Sequence, residues 1–324
     1  MKTFPSIIMA TLALLLSCAA GAQSGAASYP SKPVRVINPY AAGGPADIIG
    51  RLLGERLQAS LGQAFLTENR PGAAGNIGAI AVARAAPDGY TLLLCVDFTL
   101  GTNPVLYQKP GFDPLKDFAP ITLLAKSQSV LVVNASVAAN TVQELMSLAR
   151  QKPLTFASGG NGTPGHLSGE LFKHVTGVNM THVPYSGNTG AVASALSGET
   201  HMFIAAISTM VAHIKSGRVR ALLVANENRA TVLPGVPNAA EAGVPGIEVD
   251  TWFGLLAPTR TPQDVIDKLH REVANALRSP ELRERLQQTG VEPVGLPGPE
   301  VARLIERDLK KWAPVIVRAG IKVD

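Results

Sequence analysis

Three glycine-rich loops could do chemistry, each following a β-like run and opening a helical pattern. They read Pro39-Tyr40-Ala41-Ala42-Gly43-Gly44-Pro45, Ser158-Gly159-Gly160-Asn161-Gly162-Thr163-Pro164-Gly165 and Pro184-Tyr185-Ser186-Gly187-Asn188-Thr189-Gly190. A strand, a glycine turn and a helix start put bare backbone N–H groups at the positive end of a helix dipole. Such a place suits a small anion. No Lys or Arg lies within any of the three loops. A carboxylate there would be held by charge-assisted bonds from amides and hydroxyls, with no guanidinium clamp. Candidate donors are the N–H groups of Gly43, Gly44, Gly162 and Thr163, with the side chains of Ser158, Asn161, Thr163, Tyr185 and Ser186. For one isolated loop a tight turn without ligand is the better reading; three of the same kind favour binding.

Gly160-Asn161-Gly162-Thr163-Pro164-Gly165 also matches G-x-G-x-x-G between a strand and a helix. A dinucleotide site wants an acidic residue about 20 positions further on. Asn179, Met180, Thr181 and His182 stand there instead, so the anion reading is retained without the dinucleotide. Catalytic constellations are missing from the sequence: it holds no G-x-S-x-G elbow, H-E-x-x-H or Walker loop. His166, His174, His182, His201 and His213 lack metal-ligand spacing with acids or cysteines, and no cofactor is expected. His166 starts a helix beside the second loop and can either touch a ligand or cap the turn. Tyr40 and Tyr185 suit a polar pocket or plain packing, and Trp252 suits core or cleft wall.

The elements that position these loops follow a repeated strand–loop–helix scheme. Val34 to Ile37 reads as a strand before the first loop; Ile48, Ile49, Leu52, Leu53 and Leu57 then share one helical face, which Gly62 ends. Phe65 to Thr67 and Tyr90 to Cys95 are further strands. After Pro120, two apolar runs, Ile121 to Leu124 and Val130 to Val133, are separated by Lys126-Ser127-Gln128-Ser129. Thr141-Val142-Gln143-Glu144 is a capping box opening a helix that Pro153 stops. Leu154 to Ala157 leads into the second loop and Thr181 to Val183 into the third; Met202 to Ile204, Val219 to Val224 and Trp252 to Ala257 complete the strands. Thr261-Pro262, Ser279-Pro280 and Pro299-Glu300 begin three last helices. Alternation of this kind implies an α/β fold with mostly parallel sheets, and ligands beyond the carboxyl ends of the strands. The 34–61 and 154–174 segments share one scheme, so two such units would face each other across a cleft.

Residues 1–22 read as an export signal: Lys2, the apolar stretch Ile7 to Leu16, and the small-x-small site Ala20-Gly21-Ala22. A lipidated Cys18 is the less favoured route, since Leu16 fits poorly there. Once the signal is removed, Cys95 is the sole cysteine and no intrachain disulfide can form. Cys95 follows three leucines and reads as a buried, inert thiol. The formal charge of +5 is carried by scattered basic residues, which argues against nucleic acid. Charged residues make up 16% of the chain, against about 25% in average domains, which favours a large core.

Nearly the whole chain after residue 28 resembles the Bug receptors, the periplasmic solute-binding proteins of tripartite tricarboxylate transporters. The resemblance is carried by Tyr29-Pro30-Ser31-Lys32-Pro33, Glu68-Asn69-Arg70-Pro71-Gly72, Gly75-Asn76-Ile77-Gly78, Ala86-Pro87-Asp88-Gly89-Tyr90-Thr91, Asp117-Phe118-Ala119-Pro120, His182-Val183-Pro184-Tyr185 and Trp252-Phe253-Gly254-Leu255-Leu256-Ala257-Pro258. It implies a two-domain periplasmic binding protein of type II-like α/β fold, with a ligand cleft between mainly parallel sheets. Domain 1 would comprise 29–124 plus 254–324, and domain 2 would comprise 125–253. The resemblance further implies a non-catalytic, monomeric receptor for a small organic carboxylate. Its partners would be the membrane subunits of a tripartite tricarboxylate transporter or, in a rival reading, a sensor kinase.

The ligand contacts implied are Tyr40, Gly43, Gly44 and Asp47; Asp97, Phe98 and Thr99; Ser158, Asn161, Gly162, Thr163 and His166; and Tyr185, Ser186 and Gly187. Three positions depart from the family pattern. Ser186 stands where many members have Lys, and Ile204-Ala205 where many have Asp-Asn, which would leave an apolar wall and a less charged ligand. Asp97 stands where small or hydroxylated residues are common. It either faces the pocket and favours a ligand with a hydrogen-bond donor, or it is a surface or cap residue.

Overall fold

The computed structural model describes residues 29–321. The export signal expected over 1–22, with Cys18, lies outside the described residues. Strand β1 (Val34–Asn38) pairs in parallel with β2 (Phe65–Asn69) and β3 (Thr91–Val96). Between them run helices α1 (Pro45–Leu61) and α2 (Asn76–Ala83). Ala46, Ile49, Leu52, Leu53 and Leu57 turn the apolar stripe of α1 inward, and Gly62 ends the helix in the left-handed conformation at φ 72°. After β3 come a π-helical turn (Phe98–Thr102) and the short α3 (Asn103–Leu106).

The two apolar runs after Pro120 prove to be a single 17-residue strand, β4 (Phe118–Asn134). The polar stretch between them contains no glycine or proline to break it. It keeps pairing with β9 (Asp250–Pro258): Lys126 lies opposite Trp252, Ser127 opposite Thr251 and Gln128 opposite Asp250. Pro120 is tolerated because the register shifts beside it.

Helix α4 (Val142–Gln151) starts at Thr141, whose Oγ1 accepts the Glu144 N–H at 3.1 Å. The Glu144 carboxylate accepts the N–H of Asn140, one residue before the position that a capping box would use. Next come β5 (Leu154–Ser158), α5 (Pro164–Thr176), β6 (Met180–Pro184), α6 (Asn188–Ser197), β7 (Met202–Ala206), α7 (Ile207–Lys215) and β8 (Val219–Val224). Beyond β9 the chain forms α8 (Gln263–Leu277), α9 (Pro280–Gln288), β10 (Glu292–Pro297) and α10 (Gly298–Ala319).

One sheet path runs β2-β1-β3-β9-β4-β7-β5-β6, with β10 and β8 also paired to β4. The parallel pairing expected holds for β1 with β2 and β3, and for β5 with β6 and β7. The pairings made by β4, together with β3 to β9, are antiparallel, so the sheet as a whole is mixed. The first half of β4 lies between β9 and β10 and its second half between β7 and β8. The residues expected as domain boundaries, 124–125 and 253–254, therefore fall inside the two long strands that link both parts of the sheet.

Helix α10 packs on both parts. Val301, Leu304 and Ile305 join Ile37, Leu93 and Trp252 in one buried cluster. Trp312, Val315 and Ile316 join Leu131, Phe156 and Leu171 in another.

Candidate functional site

Register places the glycine loops together. The parallel strands β1 and β3 run toward the first loop and Asp97, where Val96 pairs with Phe253 of β9. In the other part, β5 and β7 run in the same sense toward the second loop and Ala206, where Ala206 pairs with Ser129 of β4. The third loop follows β6, whose Pro184 lies beside Ser158. All these carboxyl ends converge on the middle of β4 and the start of β9, where an open α/β sheet presents its loops to a ligand.

The second and third loops are bonded into one unit. Tyr185 N–H donates to Ser158 O at 2.9 Å, and Gly187 N–H lies 3.1 Å from Gly159 O and 3.0 Å from Tyr185 O. Ser158 is fully buried; its Oγ takes the Gly160 N–H at 3.1 Å and lies 2.6 Å from His182 Nε2. Thr163 Oγ1 donates to Gly160 O at 2.7 Å. Gly162, at φ 72°, donates its N–H to His166 Nδ1 at 3.0 Å. Since Nδ1 accepts, neutral His166 carries its proton on Nε2. His166 stacks face to face on His182, with ring centroids 3.7 Å apart and planes 7° apart, and Phe156 lies 5.0 Å from His182. Burial pushes both imidazoles down from 6.5 to about 4; Lys173 adds to this for His166, and His166 does so for His182.

The first loop uses the same device with a charged residue. Gly43 donates its N–H to Asp47 Oδ2 at 3.0 Å, and Arg51 Nε donates to the same oxygen at 3.1 Å. The Arg51 hydrogen bond holds the buried Asp47 carboxyl below its ordinary range, against the cost of burial. Tyr40 OH lies 2.9 Å from Thr99 Oγ1, and Asn69 Nδ2 donates to Tyr40 O at 3.2 Å. Burial raises the Tyr40 phenol well above its ordinary value. Among the described residues no hydrogen bond joins the first loop to the other two.

These bonds divide the residues expected to meet a ligand. Ser158, Gly162, Thr163 and His166, with Gly43 and Asp47, spend polar groups bracing the loops, so the amides of Gly43, Gly162 and Thr163 are not free donors. Gly44, Asn161 and Ser186 have no such commitment; Asn161, Ser186 and Gly187 are exposed and Gly44 is half-buried. The Tyr185 hydroxyl is buried without a protein partner.

Ile204 and Ala205, expected as an apolar wall, are both buried at the end of β7. Alternation along β7 sends Ile204 into the core with Leu131 and Phe156, and Ala205 into the core with Val130 and Met210. Phe98 is likewise core, packed with Leu106 and Leu131.

Asp97 is interior, at 4% exposure, so the surface reading fails; it sits at the N-cap position of the π-helical turn without making a cap bond. Its Oδ1 has no partner, and burial followed by the Asp308 charge raises its carboxyl well above the ordinary value. Cys95 is buried and free, as expected.

His182, which sequence reasoning did not place at the second loop, is brought against Ser158 and His166. Its position at i−2 from Pro184, directly before the third loop, was the available signal. A recess of about 390 Å³ lies between the ends of α5 and α10, outside the loops. Its cations Lys173 and Arg318 already meet Glu170 at 2.8 Å and His174 at 3.2 Å. Among the described residues no helix is long and apolar enough to cross a membrane, and no group of three or more His, Cys, Asp or Glu could hold a metal.

A two-part α/β sheet with anion-suited loops around its crossing strands is the architecture of a solute-binding protein. The chain belongs to the tripartite tricarboxylate transporter family receptors (TctC), whose family pattern matches residues 49–321. It is thus a periplasmic solute-binding receptor of the Bug type, a binding protein and not an enzyme. It is 32% identical to protein BugT of Bordetella pertussis over 320 residues, 98% of each chain. A solved R. palustris protein with adipate is 35% identical, with a TM-score of 0.77 over 91% of this chain and 99% of that one. MatC from Rhodopseudomonas palustris with bound malate is 32% identical, with a TM-score of 0.71 over 89% of this chain and 100% of that one.

Proposed function

We propose that the protein captures a small organic carboxylate between two hinged lobes and delivers it, as a monomer, to the membrane subunits of a tripartite tricarboxylate transporter. The lobes would be 29–124 with 254–324, and 125–253, pivoting on β4 and β9. The observation that carries this reading is the convergence of three glycine loops, none containing a cationic side chain, on the crossing of those strands. Gly44 N–H, Asn161, Ser186 and the Tyr185 hydroxyl are the groups left to meet a ligand. The relatives solved with adipate and malate support a carboxylate. The missing loop cations favour an acid of low charge.

Binding must favour the closed form over the open one, because equal affinity for both shifts nothing. Thermal-shift screening of the purified protein against a panel of mono-, di- and tricarboxylates tests the proposal. A ligand at about 100 times its Kd adds about 2.7 kcal/mol of native stability, which raises Tm by several degrees. A flat response across the panel, with the protein folded, would remove the carboxylate from the proposal.

A further inference from the structure

Beneath the second loop, Phe156 of β5, His182 of β6 and His166 of α5 form a stack in which each imidazole commits one nitrogen to the loop. His166 Nδ1 holds the Gly162 N–H at 3.0 Å. His182 Nε2 holds Ser158 Oγ at 2.6 Å, and that oxygen holds the Gly160 N–H at 3.1 Å. Gly160 and Gly162 both sit at positive φ, 127° and 72°, so their turns rest on these contacts. We propose that His166 and His182 are positioning residues: as neutral imidazoles they set the second loop for ligand, and proton uptake by the pair disassembles it and releases ligand. This rests on the reading that the second loop meets the ligand.

The chemistry is local. A proton on His166 Nδ1 would turn an acceptor into a donor facing the Gly162 N–H donor. Two imidazolium rings 3.7 Å apart would also repel across a partly dry stack. Helix α5 presents Glu170 and Lys173 to the stack. Lys173 opposes a second positive charge, and its 2.8 Å bond to Glu170 occupies that carboxylate. Strands β5 and β6 contribute no further titratable residue. Burial, the leading cause, keeps both rings neutral down to about 4.

The test uses the full mature chain. Asn at 166 places Oδ1 where Nδ1 stood, and Gln at 182 places an amide near Nε2, so the double variant His166→Asn/His182→Gln keeps the contacts without the titration. Adipate is the probe. The acid's own protonation is common to both proteins, so the readout is the affinity ratio of wild type to double variant, measured by calorimetry from pH 7.5 to 3.5. We expect a ratio within about threefold at pH 7.5, little change down to pH 4.5 where most rings are still neutral, and a wild-type loss of about tenfold relative to the variant at pH 3.5. His166→Leu should lose about tenfold already at pH 7.5.

A ratio constant across the range overturns the proposal. NMR of the unliganded wild type decides it even if adipate fails to bind, a failure that would count against the proposed function instead. The Gly160 and Gly162 amide signals should move with the imidazole midpoints. Amides that stay still while both rings protonate also overturn the proposal.

Discussion

Replacing Asp47 by Ala should loosen the first loop at a cost that the structure allows us to sum. The carboxylate is 5% exposed in the first turn of α1, accepts the Gly43 N–H at 3.0 Å and pairs with Arg51. A hydrogen bond to a charged acceptor contributes about 1.5–3 kcal/mol. An acid at a helix N-terminus adds about 0.3–1 kcal/mol. Because the Arg51 side chain is 54% exposed, the ion pair is screened and adds about 0–1 kcal/mol.

The expected loss for Asp47→Ala is therefore about 2–5 kcal/mol. Asp47→Asn, which keeps one acceptor oxygen, should lose about half as much. The folded carboxyl titrates below its unfolded value. Its contribution is thus complete above the unfolded pKa of about 3.9 and vanishes as pH falls through the folded value. Urea unfolding at pH 7 and at successively lower pH should show the wild-type advantage full at neutrality and shrinking below about pH 4. An Asp47→Ala protein within about 0.5 kcal/mol of wild type at pH 7 would refute the bracing role.

The histidine pair should shift stability in the same direction but over a higher pH window. Its depressed values mean that the unfolded chain takes up protons first, so stability falls as pH drops from about 6.5 toward about 4 and then levels. Discounted for the partial exposure of His182, the pair should cost about 2–4 kcal/mol at pH 5. The check is wild type minus His166→Asn/His182→Gln, because the raised carboxyls of Asp97 and Asp250 act in the other direction. Gly169→Ala should destabilise by about 1–3 kcal/mol despite better helix propensity, because its Cβ would lie 2.1 Å from Phe156 Cε2; thermal melts measure this. Tyr185→Phe should leave unliganded Tm unchanged or slightly raised, since it removes a buried hydroxyl without a partner, and should weaken carboxylate affinity. Equal affinity would take Tyr185 out of the site.

What was legible in the sequence was mostly local. A glycine turn between a β-run and a helix start announces itself within ten residues, and all three loops lie between a strand and a helix as expected. The spacing Gly43-x-Pro-x-Asp47, repeated as Gly162-x-Pro-x-His166, was also in plain sight. Yet these amides read as free donors, because the side chain four residues on reaches back only once the first helical turn forms. The His166–His182 stack joins residues that only the pairing of β5 with β6 brings together, beyond the range of any periodicity. Strand β10 was hidden by its own composition. Pro293, Gly295 and Pro297 speak against a strand, and it survives as a pairing to β4 with a register shift.

Helix α10 has a mechanical consequence. Its 22 residues form a rod about 33 Å long, socketed in one half of the molecule through Leu304 and in the other through Trp312. A hydrogen bond of 2.7 Å from Trp252 Nε1 to Asp308 rivets its midpoint to a crossing strand. Two bodies sharing such an axle cannot simply draw apart: that would empty a socket and re-wet its large side chains, at about 1.5–3 kcal/mol each. For the hinged receptor proposed above, the motion that keeps both sockets filled is torsion about the rivet, which would swing the loop-bearing strand ends.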